Sequence, residues 1–372
     1  MISKTTTAAY GKNLEILIRQ EEPFNAGPPP HLLLGAGELT PADLFFVRNH
    51  GAVPEADQAS FWLTVEGRIR KPFRISLEEL RRLPRVTVAA TLQCAGNRRS
   101  EMMAVRDIPG ELGWGSEAIS TAEWGGVPLR EVLNAAGPEA EARHVELTGL
   151  DEAERHGHRF NFGGSIPLDK AQQPEVLLAY EMNGKPLPVV HGGPLRLVVP
   201  GYIGARSVKW LSRITVQEQP SDNYFQSKAY RLFPPGVDHD TVDWDSGLML
   251  GSFNVNSLIC APVEGETLPA GPVTVRGWAF AGERDVARVD LSVDGGTTWT
   301  VADLAPARSR WTWRFWQAVL GPGKLVPGEN EIICRAWDAA AQTQPESPAH
   351  VWNFKGYMNN AWHRVRVTCA EA

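Results

Sequence analysis

The sequence predicts an α+β protein in two parts, a mixed α/β domain followed by a β-sandwich of immunoglobulin type. Three observations predict it. A chain of 372 residues is longer than one hydrophobic core usually serves. From about Glu38 to Val216 short apolar runs are interspersed with helical stretches, whereas from Val273 onward the pattern is almost wholly strand and turn. Between them, Pro220 to Ser252 is rich in Asp, Pro and Gly and follows neither period, the character of a domain connection. The expected boundary lies near Ser246, dividing residues 1–245 from 246–372.

In the first part, Arg85–Thr91 and Leu195–Val199 are apolar runs of strand length, and Leu77–Leu83 and Leu129–Ala136 space their leucines as a helix does. In the second, Val273–Phe280, Ala287–Val293, Trp311–Gln317 and Asn330–Asp338 are rich in β-branched and aromatic residues and are parted by Gly and Pro turns. Asp294-Gly295 is a pair suited to a hairpin turn. Short strands at this spacing predict a sandwich.

Composition narrows the function classes. With 43% hydrophobic and 22% charged residues, 13 Trp and 28 Pro, the chain is neither disordered nor a coiled coil. A net charge of −6 leaves no global basic field for nucleic acid or an acidic membrane, so any bound anion must be gathered locally. No apolar run reaches membrane-spanning length and the opening residues lack the core of a signal peptide, which predicts a cytoplasmic location. Cys94, Cys260, Cys334 and Cys369 form no Cys-x-x-Cys pair, so reduced thiols are expected.

One cysteine stands apart. The run Thr91-Leu92-Gln93-Cys94-Ala95-Gly96-Asn97-Arg98-Arg99-Ser100 sets Cys94 directly after an apolar stretch and before two arginines, so a strand should deliver the thiol into a loop. Arginines beside a cysteine favour thiolate, the form that ligates a soft metal. A lone cysteine is otherwise more often a packing residue, the role expected for the other three.

Leu92 through Arg99 resembles, without a gap, the metal-ligating loop of the sulfite oxidase family. The resemblance recurs in order at Phe45-Phe46-Val47-Arg48-Asn49-His50, Leu178 to Pro188, His191 to Arg196, Gly204 to Trp210, Trp352 to Gly356 and Asn360 to Val365. It implies a molybdopterin-binding first domain and an immunoglobulin-like second domain that forms a homodimer. Cys94 would be the protein ligand to molybdenum. Phe46, Val47, Arg48, Asn49, His50, Asp151, His191, Arg196, Ser207, Val208 and Lys209 would hold the pterin and its phosphate. Arg48, Arg99 and Tyr230 would form the substrate pocket, with Lys355 in place of a further family arginine. The implied reaction is oxygen-atom transfer to sulfite, or to a similar small oxyanion.

Electrons would leave to an external acceptor, whether a cytochrome, another carrier or dioxygen. The residues ahead of Phe46 are too few for a fused haem domain and no Cys-x-x-Cys-His run appears, so no haem is expected. Two departures bear on the substrate. Lys355 keeps a charge but loses the planar guanidinium fork, and Asp107-Ile108-Pro109-Gly110 stands where the family carries a Lys or Arg, with Arg106 the nearest replacement. The rival readings are a nitrate-reductase-like enzyme, disfavoured by Gln93, Ser100 and Met102, and a non-enzymatic immunoglobulin-like binding protein with Cys94 inert. His156-Gly157-His158 and the Asp238–Asp245 cluster read as solvated loops, since the latter lacks the EF-hand glycine and glutamate.

Overall fold

A computed structural model describes Ala8 and residues 10–371. An N-terminal hairpin of β1 (Leu17–Gln20) and β2 (Asn25–Gly27) precedes two five-stranded sheets. Their strands are β3 (Trp62–Gly67), β4 (Phe73–Ser76), β5 (Val86–Gln93), β6 (Ile119–Pro128), β7 (His144–Arg155), β8 (His158–Pro167), β9 (Leu177–Met182), β10 (Lys185–Pro186), β11 (Arg196–Val198) and β12 (Leu211–Gln217). One sheet runs β4-β3-β12-β7-β8, with β12 parallel to β3 and antiparallel to β7. The other runs β10-β9-β6-β5, with β11 on β9.

Local chemistry sets the helix limits. Ser76 and Glu79 cap each other's backbone N–H groups to start the helix Leu77–Arg81, two residues shorter than the spacing predicted. Pro84 explains the early stop, because the residue before a proline is pushed out of helical geometry. The helix Leu129–Ala136 buries Leu129, Val132, Leu133 and Ala136, one helical face, and ends as expected at Gly137, whose positive φ of 67° suits glycine.

The stretch after β12 is more structured than its composition predicts. It holds a short helix, Tyr224–Ser227, and a hairpin of β13 (Arg231–Leu232) with β14 (Leu248–Met249). Arg206 ties its two ends together, donating to the Phe225 carbonyl at 3.1 Å and the Leu250 carbonyl at 3.2 Å. Burial lowers this guanidinium's pKa to about 10, and one of its nitrogens lacks a partner.

The C-terminal part is a sandwich. Its strands are β15 (Asn256–Ala261), β16 (Thr267–Leu268), β17 (Val273–Phe280), β18 (Val286–Ser292), β19 (Thr300–Val301), β20 (Asp303–Leu304), β21 (Arg314–Leu320), β22 (Gly328–Asp338) and β23 (His363–Cys369). The sheet β15-β17-β21-β20 faces the sheet β16-β23-β22-β18-β19 across a core that includes Val275, Val289, Leu291, Trp316 and Ile332. Val273 and Val275 point in while Thr274 and Arg276 point out, the alternation of a half-buried strand. Cys260, Cys334 and Cys369 are buried here as free thiols, and burial pushes Cys334 up to about 12.

One strand starts three residues later than its sequence suggests. Trp311 to Trp313 turn toward the first domain instead, where Thr91 N–H donates to the Trp311 carbonyl at 2.9 Å and Trp313 N–H donates to the Thr91 hydroxyl at 2.8 Å. Aromatic bulk read as strand propensity is used to join the two domains. Asp294-Gly295 does sit in the β18–β19 hairpin, with Gly295 and Gly296 both at positive φ and the Asp294 carboxylate accepting from Thr298 N–H.

His363 couples the two sheets, its Nδ1 accepting from Ile259 N–H at 3.2 Å. Burial, with the Arg98 charge, lowers its pKa to about 3 from an ordinary 6.5, so its contribution is complete above 6.5 and lost as pH falls toward 3. Thermal unfolding between pH 7 and pH 4 should therefore show an acid limb that His363→Gln flattens.

Candidate functional site

Strand β5 ends at Gln93 and hands Cys94 to a turn, as expected. The thiol sulfur accepts the Gly96 N–H at 3.4 Å, and the Asn97 side-chain carbonyl fixes the loop by accepting from Ala118 N–H at 2.9 Å. The two arginines that follow do not flank the sulfur as their adjacency suggests. Arg98 adopts a left-handed φ of 64° and turns away, pairing with Glu101 at 2.7 Å and donating to Asn256 Oδ1 at 2.8 Å in the second domain. Arg99 is buried and donates to the carbonyls of Leu112 at 2.8 Å, Lys355 at 3.0 Å and Gly356 at 3.2 Å.

Cys94 lies on the wall of a recess. Of the residues singled out in the sequence, Phe46, Arg48, His50, Asp151, His191, Arg196, Ser207, Lys209 and Tyr230 share that wall. Val47, Asn49 and Val208 do not. Val47 pairs with Ala26, Val208 is core, and Asn49 is buried with its side-chain oxygen taking the Lys209 ammonium. Apolar walls come from Phe45 and Leu92, which lie inside the motifs without having been singled out, and from Phe162, which no motif marked. Gly51 allows the close approach that puts His50 beside Asp151, since a side-chain carbon there would run into the Glu152 carbonyl.

The recess is cationic at one end. Arg196 is buried, donates to the carbonyls of His191 at 2.8 Å and Ser207 at 3.0 Å, and lies over the Trp124 ring; burial lowers its pKa to about 9. Lys209 has its pKa lowered by burial and by Arg196, against the pull of Asp151. Burial raises the Asp151 carboxyl to about 6 despite Lys209, and one of its oxygens has no partner. His50 and His191 are held below the ordinary imidazole range, by burial first and then by neighbouring cations.

At the other end, the Tyr230 hydroxyl and His50 Nε2 are 2.8 Å apart, and the phenol stacks on Tyr357. Burial raises both phenols above their ordinary value, so they keep their protons. Arg99 and Lys355 sit behind this wall rather than on it. The Lys355 ammonium pairs with Glu111, whose other oxygen lies 3.5 Å from Arg99. Arg106 does not restore the loop cation: its guanidinium covers the Trp352 ring and donates to the Pro235 carbonyl. The loop Asp238–Thr241 is closed by its own Asp238 carboxylate.

Sequence reasoning missed Lys12. It is 5% exposed and donates to the carbonyls of Ala42 at 2.5 Å and Phe45 at 2.7 Å and to His191 Nε2 at 3.1 Å. Burial lowers its pKa to about 7 against the pull of Asp43. His191 Nε2 also lies 2.9 Å from the Ala42 carbonyl, so Lys12, Ala42 and the imidazole form one buried polar cluster. No sequence signal exists for such a residue, whose partners are 30, 33 and 179 positions away.

The sulfite oxidase of Arabidopsis thaliana is 41% identical over 371 residues, covering 94% of this chain and 92% of the relative. The chain belongs to the sulfite oxidase family. Another family relative, the mitochondrial sulfite oxidase of Homo sapiens, is 46% identical over 361 residues, covering 94% of this chain and 65% of the relative, so the chain spans just under two thirds of that protein. Two family models match in tandem, the oxidoreductase molybdopterin binding domain over residues 50–225 and the Mo-co oxidoreductase dimerisation domain over residues 249–370. Among solved structures, the sulfane dehydrogenase SoxCD from Paracoccus pantotrophus matches with a TM-score of 0.76 at 26% identity, covering 92% of this chain and 84% of that one.

The residues present fit the anionic, metal-bearing group that the first family model names. A thiol suits a soft metal, Arg48, Arg196 and Lys209 suit phosphate, and the partnerless oxygen of Asp151, a lining residue, suits a hydrogen-bond donor of such a group. Lys12→Met removes the donor to two buried carbonyls and should cost about 1–3 kcal/mol in urea unfolding. Gly51→Ala should cost about 1–3 kcal/mol by overpacking and lower the molybdenum content of the purified protein.

Proposed function

We propose that this chain is a molybdenum oxidoreductase that oxidises sulfite to sulfate and passes the electrons to an external acceptor. The carrying observation is the Cys94 thiol on the wall of a recess that Arg48, Arg196 and Lys209 also line. Family membership and the high coverage of the Arabidopsis relative support the reading. In this reading Cys94 ligates the metal, while Arg48, His50, Asp151, His191, Arg196, Ser207 and Lys209 hold the pterin and phosphate, packed by Phe46 and backed by Val47, Asn49 and Val208. The bound molybdenum cofactor supplies a two-electron couple and oxygen-atom transfer.

The chain's own groups bind and orient. Arg48 opens on the recess beside Cys94 and presents guanidinium donors to an oxyanion. Tyr230 keeps its phenolic proton; with His50 donating from Nε2 to the phenol oxygen, the hydroxyl proton is free to point at an oxyanion. Arg99 and Lys355 add positive charge from behind the wall, opposed by Glu111. The apolar rings of Phe45, Phe46 and Phe162 exclude water and strengthen each of these interactions.

In this reading the chain works as a homodimer through the sandwich domain, in line with the name of the second family model. The acceptor is a cytochrome, another carrier or dioxygen, and no haem in this chain is required. No helix among the described residues is long and apolar enough to cross a membrane. For location the reading stays with the cytoplasm, although the human relative is named mitochondrial; fractionation of the native cell decides between them.

The test is sulfite oxidation by molybdenum-loaded protein with ferricyanide as acceptor and oxygen uptake followed in parallel. Cys94→Ser should abolish turnover and remove one sulfur neighbour from the molybdenum X-ray absorption spectrum. Arg48→Gln should raise KM for sulfite about tenfold or more with a smaller change in kcat. Full turnover in Cys94→Ser would sink the reading.

A further inference from the structure

Glu111 is a negative charge set among the cations of a site read as anion-binding. Its side chain is 16% exposed. One carboxylate oxygen takes the Lys355 ammonium, and the other lies 3.5 Å from an Arg99 nitrogen. Burial works against the charge, but Arg99, Lys355 and Arg48 outweigh it and hold the carboxyl below its ordinary pKa. Glu111 is therefore an anion at neutral pH, and its field also helps to raise the Tyr230 and Tyr357 phenols.

Arg99 also donates to the carbonyls of Leu112, Lys355 and Gly356, which hold this guanidinium behind the wall. Of the three cations grouped here, Arg48 alone lines the recess beside Cys94. We propose that Glu111 tunes specificity by offsetting Arg99 and Lys355, so that the pocket favours doubly charged sulfur oxyanions over singly charged ones far less than its cations alone would. The proposal deepens the preceding reading and rests on the recess being the oxyanion site.

The physical reason is that the energy of a ligand in the field of Glu111 scales with the ligand's charge. A dianion is repelled twice as strongly as a monoanion of the same shape. The sulfate product is then held more loosely than three uncompensated cations would hold it, and a singly charged hydrogen sulfite loses less.

Direct titration calorimetry of the molybdenum-loaded protein with sulfate and with methanesulfonate, a monoanion of similar tetrahedral geometry, reads this without turnover. The wild-type protein should prefer sulfate to methanesulfonate by less than about tenfold. Glu111→Gln should tighten sulfate about tenfold and methanesulfonate only about threefold, the factor for a dianion being the square of that for a monoanion. A structural ion pair alone would lower the unfolding temperature without separating the two anions. Wild-type preference for sulfate by about tenfold or more, equal shifts in the variant, or no measurable binding of either anion overturns the proposal; the first needs no variant to fold. Unequal shifts of the two anions without sulfite turnover would sink the preceding reading and leave this one standing, whereas sulfite turnover with equal shifts would do the reverse.

Discussion

The recess depends on a clasp between the cysteine loop and a segment of the second domain. Met358 N–H donates to the Ala95 carbonyl at 2.7 Å, Asn359 donates to the Arg98 carbonyl at 2.9 Å, and Arg99 donates to the carbonyls of Lys355 and Gly356. Buried backbone groups left unpaired are costly, so neither segment holds this conformation without the other. Gly356, at a positive φ of 58°, lies so close to Arg99 that a side-chain carbon would strike the arginine stem. Cys94 is thus positioned by residues far beyond it in the chain.

That clasp decides what the arginine pair does. In a free loop, Arg98 and Arg99 would both stand near the thiol and raise the local positive charge. In the folded protein Arg98 pairs with Glu101 and reaches Asn256, while Arg99 is enclosed by carbonyls and Glu111. The arginines that share the recess wall with Cys94 are instead Arg196 and Arg48, the latter carried on a segment that the N-terminal hairpin holds: Asn25 accepts from Asn49 N–H at 2.7 Å, and Val47 pairs with Ala26. The same end of the chain supplies Lys12 to the far wall.

The segment between the two cores likewise acts as part of the site. Arg206 anchors it at Phe225 and Leu250, and between those points Tyr230 enters the recess at a positive φ of 52° and stacks on Tyr357. Strain at such a residue persists only where its surroundings hold it. Here those surroundings are His50, Phe225 and Tyr357, drawn from three separate stretches of sequence.

By itself the sequence determined the two-part architecture, the Val273–Phe280 strand, the Leu129–Ala136 helix and the strand-to-loop delivery of Cys94, because periodicity, capping and turn chemistry act over a few residues. Motif order also brought forward most of the side chains that line the recess. Only the tertiary structure decided which charges face it. Pro84 and the domain contacts of Trp311 moved two element ends, Arg106 went to Trp352, Lys355 went to Glu111, and Lys12 reached His191. Side-chain charge acts through space, and its partners are chosen by packing between segments that the chain order keeps far apart.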